Sequence, residues 1–193
     1  MKYGKKYLAI TIAVILLIIP IFFGIYIDIL IVSELSLGII LFLVIGFAVL
    51  LGVGKVMGLL MNNERSKELM KQHDVVSALL NGNNINMLLV FFPLTMIMEE
   101  LIFRYYLIGI LLNQLNIGVF LAIVISSLTF SLYHLHIWFG FKDLKILITY
   151  LISSLLLGIY NAFILITLGI LVCIVAHTVL VFILYYNLYK KLS

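Results

Sequence analysis

The chain predicts an all-α, polytopic membrane bundle of about six transmembrane helices, on three observations. Of its 193 residues, 65% are hydrophobic and 10% charged, with a mean hydropathy of +1.31, where a soluble domain carries roughly a quarter charged residues. Apolar runs of roughly 20 residues recur, each long enough to cross a hydrocarbon core about 30 Å thick at about 1.5 Å rise per residue. The runs are continuous rather than alternating, which argues against barrel strands and leaves helices to satisfy the backbone in lipid.

In chain order, the expected spans are Tyr7 to Ile27, Leu37 to Val53, Met87 to Leu112, Ile117 to Trp138, Leu144 to Leu165 and Ile170 to Tyr189. The first follows Lys2, Lys5 and Lys6 as a signal peptide would, but it runs too far and lacks an A-x-A-like cleavage site, so it predicts a retained helix. Asp28 and Glu34 lie between the first two spans. The one long connection, Lys55 to Asn84, contains Asn62 to Leu80, whose mixed spacing predicts an amphipathic helix at the cytoplasmic interface, ended by Asn81-Gly82-Asn83-Asn84. Pro93 weakens the hydrogen-bond ladder early in the third span. Asn113 to Asn116, then Lys142-Asp143 with Lys145, then Thr167-Leu168-Gly169 separate the remaining spans. Lysine and arginine occupy the N-terminus, the long connection, Lys142 and Lys145, and Lys190 and Lys191, whereas the alternate connections carry none. Six crossings with both termini cytoplasmic, in a cell membrane, fit that distribution.

The net charge of +4 is scattered over loops and termini instead of lining one face, which argues against nucleic acid as a partner. A single cysteine, Cys173, excludes an intrachain disulfide and a cysteine-based metal site. No internal repeat appears, so one membrane domain is expected.

Within the spans charged or imidazole side chains are few: Glu99, Glu100, Arg104, His134 and His177, with His136, about 200° around the helix from His134, read as interfacial. A charge at mid-bilayer costs roughly 2.5–3.5 kcal/mol on insertion scales, so three on one helix require mutual compensation or a function. Glu100 and Arg104 are four apart, share a helix face and can pair. Glu99 is rotated about 100° from Glu100 and falls outside that pairing, which makes it the candidate general base. From these residues alone, a structural ion pair with Glu99 as an interhelical hydrogen-bond donor accounts for the pattern equally well.

Glu99-Glu100-Leu101-Ile102-Phe103-Arg104 fits E-E-x-x-x-R, Phe130 to His134 fits F-x-x-x-H, and His177 begins an H-x-x-x-N-like motif, in that order on three helices. In these residues the chain resembles the type II CAAX prenyl protease family, also called the CAAX protease and bacteriocin-processing (Abi, Rce1-like) family of intramembrane glutamic proteases. The resemblance covers roughly Met87 to Tyr186, including the Gly158 region. Hydropathy places two N-terminal transmembrane helices over residues 1–60, which are not diagnostic of the family, and a cytoplasmic amphipathic linker over 61–86; the resemblance implies a four-helix catalytic core over 87–189. It further implies that Glu99 activates the attacking water with help from His134. His177 then helps stabilise the oxyanion, Glu100 and Arg104 orient the first motif, and Phe130 and the position of Val181 belong to the substrate and oxyanion region. Val181 departs from the family pattern, which has asparagine there, and so removes a hydrogen-bond donor. Such donors are worth about 10²- to 10³-fold in rate. Thr178 and Asn187 are the polar residues near it in sequence, and neither is placed to substitute.

The implied activity is hydrolysis of peptide bonds in membrane-associated or lipidated peptides or proteins, with membrane lipids as surroundings and no cofactor. A zinc-dependent variant using Glu and His as ligands stays open, because both are ordinary zinc donors. Two alternatives come from other classes: a noncatalytic bacteriocin-immunity or interaction protein of the same fold, motivated by Val181, and an ion- or proton-coupled transporter. Against the transporter stand the short chain and the lack of matched interrupted helices.

Overall fold

Among the described residues, 4–30, 35–82 and 85–192 of a computed structural model, all regular structure is helical and no strand occurs. Lys2, Glu34, Asn83 and Asn84 lie outside them. The helices are α1 Gly4–Phe22, α2 Leu37–Leu60, α3 Glu64–Lys71, α4 Asp74–Asn81, α5 Phe92–Glu100, α6 Leu107–Asn113, α7 Val119–Tyr133, α8 His136–Phe141, α9 Leu144–Leu168 and α10 Ile170–Leu192. Five stretches are long and apolar enough to cross a membrane: α1, α2, Val119–Phe141, α9 and α10. Large apolar side chains point outward, Phe22 at 85% and Phe120 at 80% exposure among them, as a bundle solvated by lipid tails requires.

The remaining expected span, the third, Met87 to Leu112, is helical but not uniformly α. π-helical turns at Met87–Phe91 and Leu101–Tyr106 bracket α5. Pro93 stands at the start of α5, where it has no N–H to donate, and the wide turn before it removes the clash a proline makes in a regular ladder. In the second π turn the Phe103 carbonyl accepts from Ser126 Oγ at 2.7 Å, so α7 satisfies a group that the altered ladder presents sideways.

One expectation needs correction. The segment Asn62 to Leu80 forms two helices, not one. Asn63 caps α3 by accepting from Ser66 N–H, and His73 caps α4 by accepting from Val75 N–H, so the chain turns between them. Helix α4 turns Val75, Val76 and Ala78 inward and packs on α10. The expected span Ile117 to Trp138 is present as the stretch Val119–Phe141, with a short turn inside it where His134 is the C-cap of α7 and α8 restarts at His136.

Helix α7 packs most extensively on α9. The approach runs over small residues: Ser126 and Ser127 are fully buried, and a Cβ added at Gly158 would stand 3.0 Å from the Ser127 Cα. Gly169, at φ +85°, is the single residue between α9 and α10 and takes a conformation that L side chains avoid. The main apolar core gathers Tyr105, Ile108, Phe130, Leu157, Ile164, Leu165 and Leu180 between the second π turn, α6, α7, α9 and α10. The basic segments meet at one end of the bundle. Lys6 pairs with Asp74 at 2.7 Å, Arg65 lies 3.9 Å from Asp143, and Lys191 reaches the helix surface at Gly58. Connections without basic residues meet elsewhere, where Gln114 donates to Tyr26 Oη at 2.7 Å and Ile170 N–H to the Leu30 carbonyl at 3.3 Å.

Candidate active site

Glu99 and Glu100 close α5 and, one helical step apart, face different surroundings. Glu99 lines a cavity of about 1060 Å³ that His134, His177, Phe130 and Val181 also line. That volume is at the upper end of ligand-binding pockets, roughly 300–1,000 Å³. Glu100 is turned away from it and is fully buried among α9, α10 and the second π turn.

Glu100 is surrounded by donors. His177 Nδ1 lies 2.6 Å from Oε1, Asn161 Nδ2 donates to Oε1 at 3.0 Å, Cys173 Sγ donates to Oε2 at 2.8 Å, and Arg104 Nε stands 3.4 Å from Oε2. The pairing of Glu100 with Arg104 expected from their spacing is therefore present, but it is one of four contacts. Arg104 is itself fully buried with its guanidinium 4.1 Å over the Phe130 ring, a cation–π contact that partly offsets the loss of hydration. Phe130 also meets the edges of His134 and His177, at centroid distances of 4.9 and 5.8 Å. One apolar ring thus spaces the cation and both imidazoles.

The hydrogen bonds fix the imidazole protons. A carboxylate only accepts, so His177 Nδ1 carries a proton toward Glu100, and Nε2 is turned to Glu99 Oε2 at 3.9 Å. His134 Nδ1 lies 2.9 Å from the Phe130 carbonyl, which also only accepts. In its neutral form His134 therefore keeps the Nε2 lone pair free. His134, at the C-cap of α7, lines the same cavity as Glu99 and His177.

A family model for type II CAAX prenyl endopeptidases, Rce1-like, matches residues 81–183, more than half of the 193. The chain belongs to the Rce1-like family. No curated protein and no solved structure matches it. The Rce1-like stretch contains Glu99, Glu100, Arg104, Phe130, His134, His177 and Val181, and all but Glu100 and Arg104 reach the cavity.

Val181 stands one turn beyond His177 in the wall of that cavity and offers no donor. Thr178 does not replace it, because its hydroxyl donates to the Ile174 carbonyl at 2.8 Å. Among the described residues no group of three His, Cys, Asp or Glu is disposed to hold a metal ion. Sequence reasoning missed Asn161 and Cys173 as partners of Glu100. Their signal was polarity inside an apolar run, which a search confined to acidic, basic and imidazole side chains passes over.

Proposed function

We propose that this Rce1-like protein is an intramembrane endopeptidase that hydrolyses a peptide bond with water activated by Glu99. The observation that carries this reading is the meeting of Glu99, His134 and His177, from three helices, around one cavity, with Glu100 holding His177 in a single orientation. Peptide hydrolysis needs a base for water, donors for the oxyanion and an acid for the leaving amine.

In this scheme Glu99 takes a proton from water while the His134 Nε2 lone pair helps orient it. The water oxygen bonds to the carbonyl carbon and the π pair moves to the carbonyl oxygen. When the tetrahedral intermediate collapses, the C–N bond breaks and the proton held by Glu99 passes to the amine nitrogen. Two carboxylates and one guanidinium leave one negative charge in a buried setting. A single proton, on Glu99 or as the second proton of His177, neutralises the cluster. With the proton on His177, Nε2–H is a charged donor for the oxyanion. Lys6, Lys55 and Lys191 line the same cavity, which supports entry from the side that the positive-inside distribution makes cytoplasmic, with both termini there. The substrate is then a membrane-associated or lipidated peptide.

Quantitative sequencing of protein termini in membranes from cells carrying the wild type or Glu99→Ala tests the reading. New termini that depend on Glu99 and survive exhaustive metal chelation are expected. Termini lost on chelation would favour a zinc-dependent route. No difference between the strains, with biological activity kept by Glu99→Ala and His177→Ala, would favour the noncatalytic interaction protein, for which Val181 is the supporting observation.

A further inference from the structure

Two turns past His177, and one past Val181, α10 carries Tyr185. Residues four and eight apart on a helix lie within about 80° of one another, and long side chains lean toward the helix N-terminus. Tyr185 can therefore cover the space beside Val181, and His177, Val181 and Tyr185 all line the cavity. The Tyr185 hydroxyl lies 2.8 Å from the Tyr150 hydroxyl of α9 and 3.0 Å from His73 Nε2, at the start of α4. The ring of Tyr150 in turn stacks against His134, with centroids 6.1 Å apart.

Proton counting on this cluster leaves one hydroxyl unspent. His73 Nδ1 accepts from Val75 N–H at 3.3 Å, so it carries no proton. Burial pushes the His73 imidazole down to about 4, with Asp74 opposing and Lys6 reinforcing, so near neutral pH its one proton is on Nε2 and is donated to the Tyr185 oxygen. The two phenols hold two protons, and only one can lie between their oxygens. An oxyanion is a stronger acceptor than a phenol, so with a reacting carbonyl in the cavity Tyr150 donates to Tyr185 and the Tyr185 proton points outward, strengthened by the two donors behind it.

We propose that the Tyr185 hydroxyl, held by Tyr150 and His73, donates a hydrogen bond to the oxyanion and replaces the asparagine that the family pattern has at the position of Val181. This assignment rests on the hydrolase reading above. No proton is transferred at Tyr185; the oxygen charged by the displaced π pair accepts its O–H, and releases it when the C–N bond breaks.

The test uses the full-length protein in vesicles of phosphatidylethanolamine and phosphatidylglycerol, with a synthetic peptide spanning the cleavage site found by sequencing of termini. Tyr185→Phe is expected to lower kcat by about 10²- to 10³-fold, as loss of one oxyanion donor does, with KM nearly unchanged and a smaller loss in Tyr150→Phe. Adding Val181→Asn to Tyr185→Phe is expected to recover at least about tenfold of that loss, which a packing role for Tyr185 does not allow. Wild-type kcat in Tyr185→Phe overturns the assignment and leaves hydrolysis standing. So does a loss that Val181→Asn leaves untouched in equally folded protein, or one that appears instead in Tyr133→Phe, another tyrosine lining the cavity. A wild type that cleaves nothing overturns hydrolysis and the tyrosine role together.

Discussion

Glu100 accepts from, or pairs with, Arg104 one turn along its own helix, Asn161 on α9, and Cys173 and His177 on α10. Removing one partner of a fully buried pair leaves an uncompensated charge and costs about 3–5 kcal/mol, so Arg104→Leu is expected to lower the thermal midpoint of the detergent-solubilised protein sharply. Asn161→Leu removes one donor to the carboxylate and is expected to cost about 1–3 kcal/mol. Glu99, whose nearest ionic neighbour is His177 Nε2 at 3.9 Å, tolerates Glu99→Gln with little change in stability. The same unfolding series thus separates the two glutamates. At this scale the sequence was half legible. Glu100 and Arg104 declare their relation by a spacing of four, whereas Asn161 and Cys173 reach Glu100 across 61 and 73 residues of chain, a relation that no local pattern encodes.

Elements place these residues by departures from regularity. The second π turn carries Arg104 under the Phe130 ring, and the end of α7 at Tyr133 sets His134 into the cavity. Hydropathy, an average over a window, finds the apolar stretch but is blind to a widened turn inside it. Close packing of α7 on α9 depends on Gly158, and Gly158→Ala forces a methyl against backbone at Ser127. A loss of about 1–3 kcal/mol is expected, read as a lower thermal midpoint, together with weaker catalysis because α9 also carries Asn161. The linker adds a pH dependence. His73 ordinarily titrates near 6.5 but, docked against Tyr185, near 4. Undocked, the segment binds more protons between those values, so docking of α4 is fully stabilised above about 6.5 and weakens as pH falls toward 4. Hydrogen exchange of α4, corrected for intrinsic rate, is expected to quicken relative to pH 7 when measured at pH 5. In His73→Gln that dependence is expected to vanish; a persistent one would assign it to another group.

For the whole molecule, an apolar exterior, a polar interior cluster and basic segments gathered at one end describe a bundle whose cavity is lined by Lys6 of α1, Lys55 of α2 and Lys191 of α10. Reporter fusions at each terminus are expected to be read out as cytoplasmic; a terminus found on the other side would reverse the proposed direction of substrate entry. Charge distribution along the chain was enough to anticipate that the basic segments share an end, because positive-inside segregation acts on the sequence before any packing. The Val181 departure was equally visible, while its proposed remedy, Tyr185, needed α4 and α9 folded against α10. The most direct test of the account is the rate at which purified Glu99→Gln protein, folded as the wild type, cleaves a peptide that the wild type cleaves. A general base contributes about 10²- to 10⁴-fold, so a loss of at least about 10²-fold in kcat is predicted; cleavage at the wild-type rate would contradict the assignment of Glu99 as the base.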